Sequence, residues 1–245
     1  MDVDMDMDVT GAEAEAERQD FVPVDDARPH DVVWPTMVWP PRADAVLGGR
    51  VVEVAPMDLD RDVEDLFHAV DDDRVWQHIP FRPPDPETFA QLLHKRVAMG
   101  LFPWVVRLGA AYRHLPAGAV VGMSCYLDVA VSDARLEIGA TIYRPSVWGT
   151  AVNPDTKLLL LGYAFDELHV GRVQLKTDVR NTRSQRAISY MGARHEGTLG
   201  RYQRRADGTV RDSVLFSVLA EDWPRVRQGL ARRVADDATP ESDST

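Results

Sequence analysis

The sequence predicts an α/β fold in which a mixed β-sheet carries helices on both faces. Two observations support this. Segments with alternating apolar residues, typical of strands, are interspersed with segments in which apolar residues recur every three or four positions, typical of helices. The pattern over 135–179 predicts a strand, a helix and a second strand. These three elements should form a right-handed parallel crossover.

The first part of the predicted domain contains one strand, two helices and two further strands. The first strand covers 49–56, and Asp58 then caps a helix with apolar residues at helical spacing. A second helix starts near Pro86 and ends at Gly100. The two further strands are expected over 103–108 and 120–129.

The next strand covers 136–142 and is stopped by Pro145. Asn153 followed by Pro154 predicts the N-cap and the first position of a helix. This helix is apolar nearly all round, so it should be buried against the sheet.

The last elements begin with a strand over 172–179 and a short helix from Asn181 to Gly192. A hairpin of two strands, 196–204 and 210–219, turns at Asp207-Gly208. A final helix starts at Asp222-Trp223-Pro224.

The net charge of −11 is concentrated at the two ends of the chain. Residues 1–31 have a balance of −9 and residues 235–245 one of −4, which leaves the body between them near neutral. We expect both ends to be disordered acidic tails, 32–48 to be an extended Trp/Pro-rich lead-in, and 49–234 to be a single domain. A nearly neutral body disfavours a nucleic-acid-binding module.

Composition also restricts the site chemistry and the compartment. The single cysteine, Cys125, excludes an intrachain disulfide and a cysteine-based zinc site, and it is expected to be a buried small hydrophobe. The seven histidines show no metal spacing. No apolar run approaches the roughly 20 residues that cross a bilayer, and the acidic N-terminus lacks the apolar core of a signal peptide. We therefore expect a cytoplasmic protein that binds neither a metal nor a membrane.

The loop between Pro145 and Asn153 is the first candidate site. It consists mostly of small residues and leads into a helix. Such a loop can direct free backbone N–H groups and the positive end of the helix dipole toward an anion. A phosphate site is one interpretation, and an ordinary strand-to-helix turn is the other.

Five stretches carry a family resemblance because of their order along the chain. They are Leu136-Glu137-Ile138-Gly139, Trp148-Gly149-Thr150-Ala151-Val152-Asn153, Lys157-Leu158-Leu159-Leu160-Leu161, Asn181-x-x-Ser184 with Met191-Gly192-Ala193, and Arg204-Arg205-Ala206-Asp207-Gly208-Thr209-Val210-Arg211-Asp212. Together they resemble the GCN5-related N-acetyltransferase (GNAT) superfamily, and more narrowly the branch that includes the ribosomal-protein N-terminal acetyltransferases. The resemblance implies a largely antiparallel mixed sheet of six or seven strands with one parallel crossover.

The resemblance also implies acetyl-CoA as cosubstrate and no metal. The family's diphosphate loop, Q/R-x-x-G-x-G/A, falls on 148–153, and its splayed fourth strand, which aligns the pantetheine, ends at Tyr143. A backbone N–H near Ile142 is the implied donor to the thioester oxygen. The implied coenzyme-binding residues are Ile142, Tyr143, Trp148, Gly149, Thr150, Ala151, Val152, Asn153, Asn181 and Ser184.

Three positions of the loop depart from the family pattern, namely Trp148, Ala151 and Asn153. Ala151 stands where the family usually has its central glycine, and a positive φ there would cost about 1 kcal/mol. We expect Ala151 to keep a helical conformation, so that the loop still binds coenzyme A.

The proton-transfer groups remain open between alternatives. Glu137 is the leading candidate for the base, with a structural pairing to an arginine as the alternative, and Asp128 is the second candidate. Many relatives carry a Tyr that acts as the general acid where this chain has Ile188. Tyr190 lies about 200° around the helix from that position, so it is not expected to take this role. Ser184 is the remaining candidate acid, with capping or a plain coenzyme contact as the alternative.

These features together predict an acetyl-CoA-dependent N-acetyltransferase. It would transfer the acetyl group directly, in a ternary complex, to a primary amine on a protein N-terminus or a small molecule. A homodimer is one option for its assembly. The alternative is a non-catalytic acyl-CoA-binding or scaffold protein that retains the fold.

Overall fold

A computed structural model describes residues 22–26, 28, 33–205 and 207–237. Contacts divide the chain into a unit that ends at Val33 and a unit that begins at Trp34. The described residues of the first unit contain neither helix nor strand. Most of the two predicted tails lies outside the described residues.

The described residues of the second unit form eight strands and six α-helices. In chain order they are β1 (Leu47–Gly48), β2 (Val52–Pro56), α1 (Leu59–Val70), α2 (Asp73–Trp76), α3 (Pro86–Ala98), β3 (Phe102–Leu108), β4 (Val120–Ala130), β5 (Arg135–Tyr143), α4 (Val152–Gly162), β6 (Arg172–Asp178), α5 (Thr182–Tyr190), β7 (Arg194–Arg204), β8 (Val210–Leu219) and α6 (Trp223–Asp237). A π-helical segment, Tyr163–Glu167, continues α4. No helix in the described ranges is long and apolar enough to cross a bilayer.

All eight strands form one sheet in the order β1-β2-β3-β4-β5-β6-β8-β7. Only β5 and β6 pair in parallel, as the strand–helix–strand unit predicts, and every other neighbouring pair is antiparallel. The mixed sheet is confirmed. The strand count exceeds the expected six or seven because β1, a two-residue strand at the edge, was not predicted.

Two hydrophobic clusters cover opposite faces of the sheet, so the prediction of helices on both faces is confirmed. One lies under α4 and α6, and the other lies under α1 and α3. Leu136 and Ile138 of β5 belong to the first cluster, whereas Ile142 belongs to the second. The change of face occurs at Ala140, which has a φ of +46° and lies where the register with β4 shifts. A β-bulge therefore reorients the end of β5.

The start of α4 differs from the prediction at Asn153. The N-cap is Ala151, and the first helical residue is Val152. The hydroxyl of Thr150 accepts the Val152 N–H at 3.3 Å, so a side chain outside the helix does the capping that Asn153 was expected to do. The carboxylate of Asp155, in the first turn, accepts two backbone N–H groups at the start of β2 and fixes α4 against that strand.

The ends of the domain pack against its body. Trp39 in the lead-in contacts the rings of Phe102 and Tyr126, so this segment docks on the body of the domain. Helix α6 continues to Asp237, three residues into the range predicted as a tail. Its buried residues are Trp223, Val226, Leu230 and Val234.

Candidate active site

The parallel strands β5 and β6 separate within the sheet. They pair at Arg135↔Arg172, Leu136↔Val173 and Glu137↔Gln174, and the pairing ends there although both strands continue. An opening therefore lies between the last six residues of β5 and the last four of β6.

The backbone of β5 presents N–H groups to this opening. The N–H of Arg144 donates to the Val121 carbonyl at 2.9 Å, and the carbonyl of Ile142 lies against Gly122. The backbone polar groups of Ile142 and Arg144 therefore face β4. Since N–H groups alternate along a strand, those of Thr141 and Tyr143 face the opening. The expected donor was a backbone N–H near Ile142, and these two N–H groups belong to its immediate neighbours.

The loop before α4 lies beside the opening and offers free N–H groups. Those of Gly149, Thr150 and Asn153 have no hydrogen-bond partner among the residues that the structure describes. Gly149 has a φ of +74°, and no atom lies within 4 Å of the position that a Cβ would take there. Three unpaired donors at a helix N-terminus suit an anion.

Ala151 keeps the helical conformation that we expected. Its φ and ψ are −63° and −14°, and the residue is only 1% exposed, with its methyl group in the core under α4. The methyl group therefore does not enter the anion site. Its N–H, however, donates to the Asp237 carboxylate at 2.6 Å, so this donor of the loop is already engaged.

Trp148 connects the loop to α5. Its indole N–H donates to the Tyr143 carbonyl at 2.9 Å. The guanidinium carbon of Arg183 lies 3.5 Å from the ring centroid, and that of Arg74 lies 5.7 Å away. The ring thus forms a wall between the loop and the start of α5.

Glu137 lies at the point where the strands separate, and it is 5% exposed. Its carboxylate accepts from Lys176 Nζ at 2.8 Å and from Gln174 Nε2 at 3.3 Å. Burial raises the pKa of Glu137, and the hydrogen bond from Lys176 only partly offsets this. The structural partner is thus a lysine instead of the expected arginine. Asp128 also bonds Gln174, at 2.8 Å, but it is half exposed.

Comparison with known proteins decides the family. A model of the acetyltransferase (GNAT) domain matches residues 52–194, which is more than half of the chain. The chain belongs to the GNAT acetyltransferase family.

Individual relatives agree with this assignment. A T. thermophilus protein assigned to the acetyltransferases has 33% sequence identity and a TM-score of 0.68, covering 80% of this chain and 100% of its own. The uncharacterized N-acetyltransferase p20 of Bacillus licheniformis is 27% identical over 104 residues, which are 42% of this chain and 57% of that protein. Mycobacterium smegmatis RimJ in complex with CoA-disulfide shares the fold, with 21% identity, a TM-score of 0.63, and coverage of 79% and 95%.

Within this GNAT domain, Asn181 and Ser184 lie at the start of α5, shortly after β6 ends at Asp178. The Asn181 side chain caps the helix by accepting the Ser184 N–H at 3.0 Å. The Ser184 hydroxyl is partly buried and has no hydrogen-bond partner among the described residues. Ile188 is buried in the core, whereas Tyr190 is 69% exposed, which agrees with the expected rotation between the two positions.

The aromatic residues of α2, β3 and β4 belong to the core. Trp104 and Tyr126 are fully buried, and Trp76 is nearly so. Phe81, in the segment between α2 and α3, is about half exposed. Cys125 is fully buried, and burial raises its pKa to about 12, which excludes a reactive thiolate.

Sequence reasoning missed Lys157, a polar residue of α4 that is only 4% exposed. Its Nζ lies 2.9 Å from Ser124 Oγ and 2.8 Å from Thr141 Oγ1, and these hydroxyls are 2.8 Å apart. No carboxylate among the described residues lies within ion-pair distance of it. Burial therefore lowers the pKa of Lys157 to about 7. A lone lysine before four leucines was the available sequence signal.

Proposed function

We propose that this GNAT protein transfers an acetyl group from acetyl-CoA to a primary amine by direct attack in a ternary complex. The observation that carries the proposal is the separation of β5 and β6 beside a loop with three unpaired N–H groups. One side of the opening offers strand amides, and its end offers an anion site, which are the two features that the pantetheine and the diphosphate need.

The loop is proposed to hold the diphosphate. The N–H groups of Gly149, Thr150 and Asn153 are the donors, and the dipole of α4 adds to their effect. Thr150 contributes only its backbone, since its hydroxyl donates to the Val147 carbonyl and caps α4. Trp148 forms a wall of this site, whereas Ala151 and Val152 fix the start of the helix.

The open edge of β5 is proposed to align the pantetheine and the thioester. Negative charge develops on the thioester oxygen during attack, and a fixed N–H stabilises it. The N–H groups of Thr141 and Tyr143 face the opening and can fill this role. Asn181 and Ser184, at the start of α5 directly after β6, are proposed to contact the coenzyme from the other side.

Glu137 is proposed as the base. The amine must lose a proton before or during attack, and a base is most effective when its pKa is near the working pH. Burial moves the pKa of Glu137 in that direction. Lys176 holds the carboxylate in place, and Asp128 lies in the same cluster. The departing thiolate then takes a proton, for which the Ser184 hydroxyl at the start of α5 is the proposed donor.

The test is release of free thiol from acetyl-CoA with a panel of amines and peptides. We expect turnover with some acceptor, and in Glu137→Gln a loss of kcat of about 100-fold or more with unchanged affinity for coenzyme A. Asp128→Asn, at the half-exposed neighbour, is the matched control and should retain most activity. Full activity in Glu137→Gln would remove its assignment as the base.

A non-catalytic acyl-CoA-binding protein is the second candidate, and Ile188 favours it because no Tyr stands at that position. Binding of coenzyme A without thiol release for any acceptor would support this alternative. Absence of coenzyme A binding would refute both.

A further inference from the structure

Charged side chains continue past Glu137 along the same face of the sheet. Gln174, Lys176 and Asp178 alternate on β6 and therefore share this face. Lys176 is paired with Glu137 at 2.8 Å. Asp178 is paired with Arg205, whose Nε and Nη2 lie 2.6 and 2.9 Å from its two oxygens. The charges of Lys176 and Asp178 are therefore each compensated by a neighbour.

Arg211 on β8 lies at the end of this row. Ser213 stands directly opposite Asp178, and Arg211 is two residues away on the same face. The Nε of Arg211 donates to Ser213 Oγ at 2.9 Å. Within the described ranges, no carboxylate lies within ion-pair distance of this guanidinium, although the side chain is partly buried. Four of its five N–H donors therefore remain for a ligand.

Other elements bring further positive charge to the same place. His78 lies in the segment between α2 and α3, and the charges of Asp178, Arg183, Arg205 and Arg211 all act on it. Three of these four groups are cations. Because Arg205 is paired with Asp178, Arg183 and Arg211 are the two of these cations that have no ion-pair partner among the described residues. The surroundings of His78 therefore carry a net positive charge, near the ion pair that contains the proposed base.

We propose that Arg211 binds a carboxylate of the acceptor, so that the acceptor is an amine that also carries an acid group. This inference rests on the proposed acetyl transfer and names its substrate class. A guanidinium matches a carboxylate with two parallel hydrogen bonds. Polyamines would add positive charge to a positive site and are disfavoured. A phosphate of acetyl-CoA is the other anion that could approach Arg211, and the experiment separates the two.

The test compares amines that differ only in the acid group. Glycine, β-alanine, 4-aminobutyrate and 6-aminohexanoate are each paired with their own carboxamide, so that several distances between amine and acid are sampled. With the full chain, we expect kcat/KM to be about tenfold or more higher for at least one acid than for its amide. In Arg211→Gln, KM for that acid should rise by about 10- to 100-fold, while kcat stays the same. The kcat/KM for the amide and the affinity for coenzyme A should also be unchanged.

Arg204→Gln is the matched control, because Arg204 is an exposed arginine at the end of β7 in the same hairpin. It should retain the preference for the acid. Equal use of acid and amide by the native protein would overturn the proposal. A loss of coenzyme A affinity in Arg211→Gln, with the preference retained, would overturn it in favour of the phosphate.

Failure of the proposed function would be recognised separately. If no amine is acetylated, calorimetric binding of the same acids and amides to protein saturated with coenzyme A decides the role of Arg211. The proposal is supported if the native protein binds an acid more tightly than its amide and Arg211→Gln loses this preference. Equal binding of acid and amide by the native protein refutes it.

Discussion

Replacing Lys157 by methionine should make the protein more stable, by an amount that depends on pH. Methionine has a similar length and no charge, so it removes the titrating group with little change in volume. The lysine has a pKa of about 7 in the folded protein, against 10.5 for an unperturbed side chain. Between pH 7 and 10.5, Lys157 is therefore protonated in the unfolded chain and mostly neutral in the folded protein. The free energy of unfolding of the native protein consequently decreases as pH falls from 10.5 to 7.

The magnitude follows from these two values. At about 1.4 kcal/mol per pH unit, the difference between a pKa of 10.5 and one of about 7 corresponds to about 5 kcal/mol of destabilisation. The native protein is destabilised by this full amount below pH 7 and not at all above pH 10.5. Loss of the hydrogen bonds to Ser124 and Thr141 opposes the gain by about 1–2 kcal/mol at every pH. These two hydroxyls remain within hydrogen-bond distance of each other, which limits that loss.

The assay is urea unfolding of the native protein and Lys157→Met between pH 6 and 9.5. The advantage of the variant should be largest at pH 6 and should shrink by about 1.4 kcal/mol per pH unit above pH 7.5. Lys95→Met, at an exposed position of α3, is the control and should follow the native pH dependence. A difference between Lys157→Met and the native protein that stays constant with pH would refute the reasoning.

Three further substitutions test contacts that fix the site. Asp155→Asn should destabilise the protein by about 2 kcal/mol in urea unfolding, because the carboxylate accepts two buried N–H groups; no change would show that these bonds are dispensable. Gly122→Ala should cost about 1–3 kcal/mol, since a Cβ would collide with the Ile142 carbonyl, whereas Gly48→Ala, with open space around it, should be neutral. Asp237→Asn removes a negative charge from the proposed diphosphate loop, so calorimetry should find coenzyme A bound roughly two- to tenfold more tightly; weaker binding would contradict the placement of the diphosphate there.

Local patterns were sufficient to predict most of the scaffold. The alternation along β5 and the apolar helix after it predict a parallel crossover, because each signal comes from neighbouring residues. The short helix was predicted to start at Asn181, and the Asn181 side chain caps α5. The same alternation places Glu137 and Ile138, as neighbours on β5, on opposite faces of the sheet.

The rest of the site depends on contacts that no local pattern contains. Lys157 meets Ser124, 33 residues earlier, and Thr141 on another strand. The bulge at Ala140 decides which N–H groups face the opening, and no residue type at that position signals it. The Ala151 N–H is engaged by Asp237, 86 residues away and within the range predicted as a tail. Each of these features depends on the arrangement of whole elements.

The separation of β5 from β6 gives the sheet an edge in its interior. Strand edges are ordinarily found at the margin of a sheet, where unpaired backbone groups can recruit another strand. An extended molecule bound in this opening would act as a missing strand. The sheet is thus complete only when the site is filled. Thermal stability should therefore rise with the concentration of the bound molecule, and hydrogen exchange at Thr141 and Tyr143 should slow in parallel.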